Sequence, residues 1–289
     1  MSAARRAPAV ISISSHVARG AVGNRAVVFA LEALGCAAWS VPTVILPWHP
    51  GHSRATRIVP PPADFDALLD DLADAPWIGE VRAVASGYLG DARQAAAVAR
   101  LVAALKRRRP DLTYLCDPVI GDARGIYVPE ATATAQRDVL IPLADITTPN
   151  VHELAWMAGR PLDGAQEALA AARGFGPSTV LVTSAPGAEP GRIANLLVAA
   201  DGAWSLTHGA VANAPNGTGD LTAGLMLAHM LHGRGAFDAA SRALASVSAV
   251  VSLTVRSGAD ELLLAGNADL LRQPEAAVAA RPLGQRNDA

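Results

Sequence analysis

The sequence predicts an α/β fold: a mainly parallel central β-sheet flanked by helices on both faces, with an antiparallel hairpin at one edge. Three observations predict it. Short β-rich runs alternate with longer Ala- and Leu-rich segments, which is the pattern of successive βαβ units. Hydrophobic residues are 51% and charged residues 17% of a 289-residue chain, against about 25% charged in an ordinary soluble domain, so most of the chain is expected to be packed. Two strand-like runs meet at Asp201 and Gly202, and a D-G pair between strands favours a tight antiparallel turn.

In chain order, strands are expected at 10–14, 38–43, 83–86, 113–116, 145–147, 179–183, 193–199 and 203–207. Helices are expected at 24–34, 65–72, 92–108, 131–139, 151–158, 165–174, 218–231 and 237–255. The third helix closes on the basic run Lys106, Arg107, Arg108 and Arg109 ahead of Pro110, a stop signal. The helix at 151–158 follows Asn150, with Glu153 placed to complete a capping box. The last helix contains 243–255, which carries Ser246, Ser248, Ser252 and Thr254 and falls short of the roughly 18 apolar residues a bilayer span needs. It reads as a buried helix, with no membrane partner. The Pro-rich stretch 41–62 is too long for an ordinary connection and is expected as a lid-like excursion from a single domain spanning 1–289. The residues from about Pro282 are polar and are expected to fray.

A net charge of -2 and a pI near 6.4 leave no electrostatic footprint for a nucleic acid. Mean hydropathy is +0.25. Arg5 and Arg6 precede an apolar run that is short, holds Ser12, Ser14 and Ser15, and ends at His16, a poor secretory signal. Cys36 and Cys116 are too few for a disulfide framework or zinc knuckle, so a cytoplasmic location is expected. Lys106 is the only lysine, which excludes a Walker-type G-K-S/T loop and argues against a lysine Schiff base. Phosphate chemistry here must use backbone amides, arginines or a metal.

Asn216, Gly217, Thr218, Gly219 and Asp220 precede the apolar run 221–230. Glycines ahead of a helix let backbone N–H groups converge at its positive end, which suits a transferring phosphoryl group. Asp220 at that mouth can accept a proton from an attacking hydroxyl, or it can simply cap the helix. Asp117 and Asp122 follow a strand end, where ligands gather in open α/β sheets, so they can face a magnesium-nucleotide or form an Asp-Pro turn. Asn150 and Glu153 can share a metal-water shell or make the capping box alone. Strand ends at Ser86–Gly90 and at Thr183 and Ser184 offer hydroxyls and close backbone approach. His49 and His52 have a spacing at which zinc is conceivable, with no Cys or carboxylate nearby in sequence. His229 and His232 read as helix-surface residues.

The opening S-H-V-A-R-G-A-V-G-N at Ser15 to Asn24, S-G-Y-L-G at Ser86, C-D-P-V at Cys116, T-P-N-V-H-E at Thr148 and G-T-G-D at Gly217 resemble the pyridoxal kinases of the ribokinase-like superfamily. G-T-G-D points only to the superfamily, and the opening motif points to the branch. The resemblance spans about 10–255. It implies transfer of the ATP γ-phosphoryl group to the 5′-hydroxyl of pyridoxal in vitamin B6 salvage, with Mg²⁺ and often K⁺, in a homodimer. By position, Asp220 matches the catalytic base beside the substrate, and Gly217, Thr218 and Gly219 match the anion hole. Ser15, Val22, His49 and Tyr88 match the vitamin pocket. Asp117, Asp122, Thr148, Asn150, Glu153, Thr183, Ser184 and Gly219 match the nucleotide side, with Asp117 and Glu153 nearest the metal.

One segment departs. Members usually carry F-S-N-H-T where this chain has Leu46, Pro47, Trp48, His49 and Pro50. His49 is kept, while an aromatic wall becomes Leu46 and a hydroxyl that touches the pyridine ring is lost at Pro50. Rival readings are a hydroxymethylpyrimidine or other small-alcohol kinase and a ligand-binding homologue without turnover. The low charged fraction adds an argument for a homodimer, since an isologous interface covers uncharged surface.

Overall fold

The β-rich run at the start of the chain becomes a strand with neighbours on both edges and helices on both faces, so almost every position is buried. This is β1 (Ala9–Val17). The structure, a computed structural model, describes residues 7–274 and 276–283. There follow α1 (Asn24–Ala33), β2 (Ala37–Leu46), α2 (Pro62–Ala73), β3 (Val81–Ser86), α3 (Gln94–Arg108) and β4 (Thr113–Cys116). A short hairpin, β5 (Gly121–Asp122) and β6 (Gly125–Ile126), leads into α4 (Glu130–Ala135) and β7 (Ile146–Thr147). The second half adds α5 (Val151–Ala158), α6 (Ala165–Arg173), β8 (Thr179–Ala185), β9 (Arg192–Ala199), β10 (Gly202–Gly209), α7 (Thr218–Leu231), α8 (Ala236–Arg256), α9 (Asp269–Arg272) and β11 (Ala279–Pro282).

Nine strands form one sheet in the order β11-β10-β9-β8-β7-β4-β3-β1-β2. The pairings from β2 to β8 are parallel. Those from β8 to β11 are antiparallel. The expected hairpin is β9 and β10, in register from Gly202 opposite Ala199. The period-2 alternation of strand side chains sorts them to two faces. Val10, Ala83, Leu115, Leu181 and Leu197 pack under α1, α7 and α8. Ile11, Val84, Tyr114 and Cys116 meet α2 and α3 on the other face. Val180 and Val182 meet α5 and α6.

α8 is long and apolar enough by length and composition to cross a membrane. It is a core helix here: Ala243, Leu244, Val247, Val250 and Val251 are buried, and Ser246 and Thr254 donate to the carbonyls of Leu271 and Val250. α7 is buried all round from Leu221 to His229.

Besides the short β5–β6 hairpin and α9, the structure differs from expectation elsewhere. β2 continues through Pro42 to Leu46, which an edge strand tolerates because one side needs no ladder hydrogen bonds. Ile58 then returns to bridge Ile45, so only the middle of 41–62 leaves the sheet. The helix expected at 131–139 stops at Ala135 and continues as a π-turn, Gln136–Leu140. The antiparallel edge is widened by β11, in which Pro282 pairs with Trp204 instead of fraying; the rest of the expected tail, like Arg5 and Arg6, lies outside the described residues. His229 is buried, not on the surface, and burial pushes its pKa down to about 4.

Candidate active site

The glycine turn and the start of α7 stand at the carboxyl end of the sheet. Gly217 is the N-cap of α7 at φ +95°. A side chain there would be strained by that φ and would strike the carbonyl of Ala21. The turn is thereby pressed against the loop after β1. Asp220, in the first turn of α7, has the N–H groups of Gly23 and of its own residue facing its carboxylate. It is not the helix cap. Burial outweighs these donors and pushes its pKa up to about 6, a value suited to a general base.

A second acidic group lies beyond β4. Asp117 is 6% exposed and accepts from Thr148 Oγ1 at 2.7 Å. Burial, together with the charge of Asp220, pushes its pKa up to about 7. Glu153 is buried as well, and burial plus the charge of Asp117 pushes it up to about 8. Its Oε2 accepts from Asn150 N at 2.8 Å, and its Oε1 accepts from Ile120 N at 3.0 Å and Gly121 N at 3.3 Å. Asn150 Oδ1 accepts from the N–H groups of His152 and Glu153, while its Nδ2 donates to Gly121 O at 2.8 Å. The capping box is therefore real, and it also locks the loop after β4 onto α5. Asp122, at the end of β5, is paired with Arg124 at 2.7 Å. Among the described residues, no three His, Cys, Asp or Glu side chains stand ready to hold a metal, which includes His49 and His52.

Thr183 and Ser184 sit where the register of β8 against β9 shifts. Ser184 adopts φ +53°, an uncommon conformation for a residue with a side chain, and its N–H is held by Asn195 Oδ1 at 3.3 Å. The bulge opens a cavity of about 220 Å³ lined by Thr183, Ser184, Val211, Gly219, Val247 and Val251. Apolar walls that end at the helix-terminus anion site suit a heterocyclic base with a phosphate tail.

Away from that cavity, Val22 and Leu46 share a small apolar cluster against which Tyr88 packs. Ser15 is buried and lies against Gly23. Tyr88 is fixed through its backbone: its N–H donates to Ser14 Oγ at 3.1 Å and its carbonyl accepts from Thr43 Oγ1 at 2.7 Å. His49 is 3.3 Å from Asn216 Nδ2, so the 47–57 loop reaches the glycine turn. Pro50 is exposed.

The structure thus brings Val22 to Tyr88, Ser15 to Gly23, His49 to Asn216, Thr148 to Asp117, and Thr183 and Ser184 to Gly219. Sequence reasoning missed Asn195, which holds the bulge; His208, whose buried ring lines the cavity; and Tyr127, which lies close enough to Glu153, Asp220 and Asp117 for their charges to raise its pKa. It missed Glu261 too. None of these carries a local motif, and each is brought in by tertiary pairing.

A buried carboxylate with a pKa near 6 beside a glycine-led helix N-terminus suits an alcohol attacking a phosphoryl group held there, and on this sheet that arrangement is the one of a ribokinase-like small-molecule kinase. The phosphomethylpyrimidine kinase family model matches residues 18–263. The chain is 38% identical to pyridoxal kinase PdxY of Rubrobacter xylanophilus over 92% of this chain and 94% of that protein. It is 40% identical to the pyridoxine/pyridoxal/pyridoxamine kinase of Bordetella bronchiseptica over 89% and 93%. Its fold matches pyridoxal kinase from Leishmania donovani in complex with ADP and pyridoxine, with TM-score 0.87 and 26% identity over 96% and 99% of the two chains. The chain belongs to the pyridoxal kinase family.

Proposed function

We propose that this protein transfers the γ-phosphoryl group of ATP to the 5′-hydroxyl of pyridoxal, supplying pyridoxal 5′-phosphate in vitamin B6 salvage. The observation that carries the reading is the close packing of the opening motif on the glycine turn, with the Ala21 carbonyl against Gly217 and the Gly23 N–H facing Asp220. Support comes from relatives that are pyridoxal kinases and from the fold of one bound to ADP and pyridoxine.

The vitamer lies between Val22, Tyr88, Ser15 and His49, with its hydroxymethyl arm toward Asp220. Asp220 takes the hydroxyl proton as the oxygen attacks, and the N–H groups at the start of α7 receive the transferring phosphoryl group. ATP occupies the cavity beside Thr183 and Ser184.

Oxygen ligands in a pair of neighbouring, buried carboxylates with raised pKa values fit a hard divalent cation such as Mg²⁺. Asp117 would hold it, and Glu153, whose oxygens already accept N–H groups, would reach it through water. When bound, Mg²⁺ offsets phosphate charge.

The protein works in the cytoplasm as a homodimer. The apolar surface where the returning loop bridges β2 supports the dimer: Ile45 is 42% and Ile58 55% exposed there, and adjoining exposed large apolar side chains invite a partner. Light scattering should give about twice 29.6 kDa.

ADP release measured side by side with pyridoxal, pyridoxine, pyridoxamine and hydroxymethylpyrimidine tests the reaction. Pyridoxal is expected to lead. Turnover of hydroxymethylpyrimidine without pyridoxal would move the protein to the pyrimidine kinases.

A further inference from the structure

Glu261 lies in the segment between α8 and α9, far in sequence from every motif, yet groups from two site loops converge on its carboxylate. His52 Nε2 is 2.8 Å from Oε1. The N–H of Ala21 donates to Oε2 at 3.4 Å, and Arg19 approaches Oε1 at 3.7 Å. Gly20 packs directly on this carboxylate, where a Cβ would lie 2.6 Å from Oε1. The Glu261 side chain is only 13% exposed.

Its own segment is rigid. Leu262 and Leu264 are buried in the core beneath α8, and Leu263 N donates to Thr254 Oγ1 at 3.1 Å. Each group it grips continues into the site. The carbonyl of Ala21 abuts Gly217, Val22 packs in the apolar cluster with Leu46 and Tyr88, and the N–H of Gly23 faces Asp220. His52 shares its loop with His49, which meets Asn216 at 3.3 Å.

We propose that Glu261 is a positioning residue that clamps the 18–23 loop and the 47–57 loop together over the alcohol-binding flank. This rests on the kinase reading above. Glu261 touches neither substrate; it acts through Ala21 and His52. Because neither loop lines the cavity beside Ser184, loss of the clamp acts on the alcohol and on the reacting geometry and leaves nucleotide binding intact.

The test compares Glu261→Ala, Glu261→Gln, His52→Ala and the double variant His52→Ala/Glu261→Ala. Glu261→Ala is expected to raise the pyridoxal KM and lower kcat, together costing roughly tenfold to a hundredfold in kcat/KM, with the ATP KM within about threefold. Glu261→Gln keeps an acceptor for Ala21 N and should recover most of the loss. His52→Ala should reproduce part of the pyridoxal effect, and the double variant should be no worse than Glu261→Ala, because the two act as one unit.

A readout independent of turnover keeps the clamp separate from the kinase assignment: trypsin cleavage after Arg54, which is exposed in the 47–57 loop, should accelerate in Glu261→Ala and not in Glu261→Gln. Proportional loss for both substrates, additive effects in the double variant, or unchanged cleavage would overturn the clamp. A wild type inactive on every vitamer, with accelerated cleavage retained, would overturn the kinase reading alone.

Discussion

The N–H of Gly23 faces the carboxylate of Asp220, so a residue of the opening motif stands against the residue proposed as base. One contact thus links the loop proposed to bind the alcohol to the group proposed to take its proton. The contact also partly offsets the burial that raises the Asp220 pKa.

Asp220→Asn keeps an acceptor for Gly23 but cannot take a proton. Turnover should fall by roughly 10²–10⁴, while ATP affinity stays within about threefold. Single-turnover kinetics and nucleotide titration check this; near-normal turnover would assign the base elsewhere.

Glu153→Ala leaves the N–H groups of Asn150, Ile120 and Gly121 without their acceptor. Unsatisfied buried donors cost about 1–3 kcal/mol each, so melting should drop by several degrees in addition to a raised Mg²⁺ requirement. Thermal denaturation with and without Mg²⁺ separates the two effects. An unchanged melting temperature would mean that the capping box is dispensable.

The acidic cluster makes stability depend on pH. Asp117 at about 7 and Glu153 at about 8 lie above their ordinary values, so the folded protein binds more protons than the unfolded chain in the window from about 4 to 8. Their favourable contribution is present at low pH and lost as pH rises through 7 and 8. The metal-free protein should melt lower at pH 8.5 than at pH 6, and Glu153→Gln together with Asp117→Asn should flatten that slope. Turnover runs the other way and should be lost as pH falls through the Asp220 value of about 6.

Pro50→Thr restores a hydroxyl beside His49. A neutral hydrogen bond is worth about 0.5–1.5 kcal/mol, so the pyridoxal KM should fall by roughly two- to tenfold. Steady-state kinetics on the three vitamers would show it. A KM that rises would mean Trp48 already fills the space.

Much of this site was legible because its residues sit at strand ends and helix starts, where composition is distinctive. Asn150 and Gly217 mark the first residues of α5 and α7, which begin where expected. The β5–β6 hairpin escaped notice because each strand has only 2 residues and shows no periodicity. His229 was misread because a polar residue near a helix end suggests a surface, whereas α7 is enclosed on every side through His229. Glu261 had no signal at all, since its partners Arg19, Ala21 and His52 are gathered by the fold.

The grip of Glu261 on Ala21, together with the pairing of Arg19 with Asp260 across 241 positions, also bears on the order of assembly. Contacts this distant in sequence close late, after the local units have formed. A nascent chain lacking α7 lacks Asp220, and one ending before Asp260 lacks the partners of Arg19 and Ala21. The loop after β1 is therefore held in this way only once residues 241 positions apart have met.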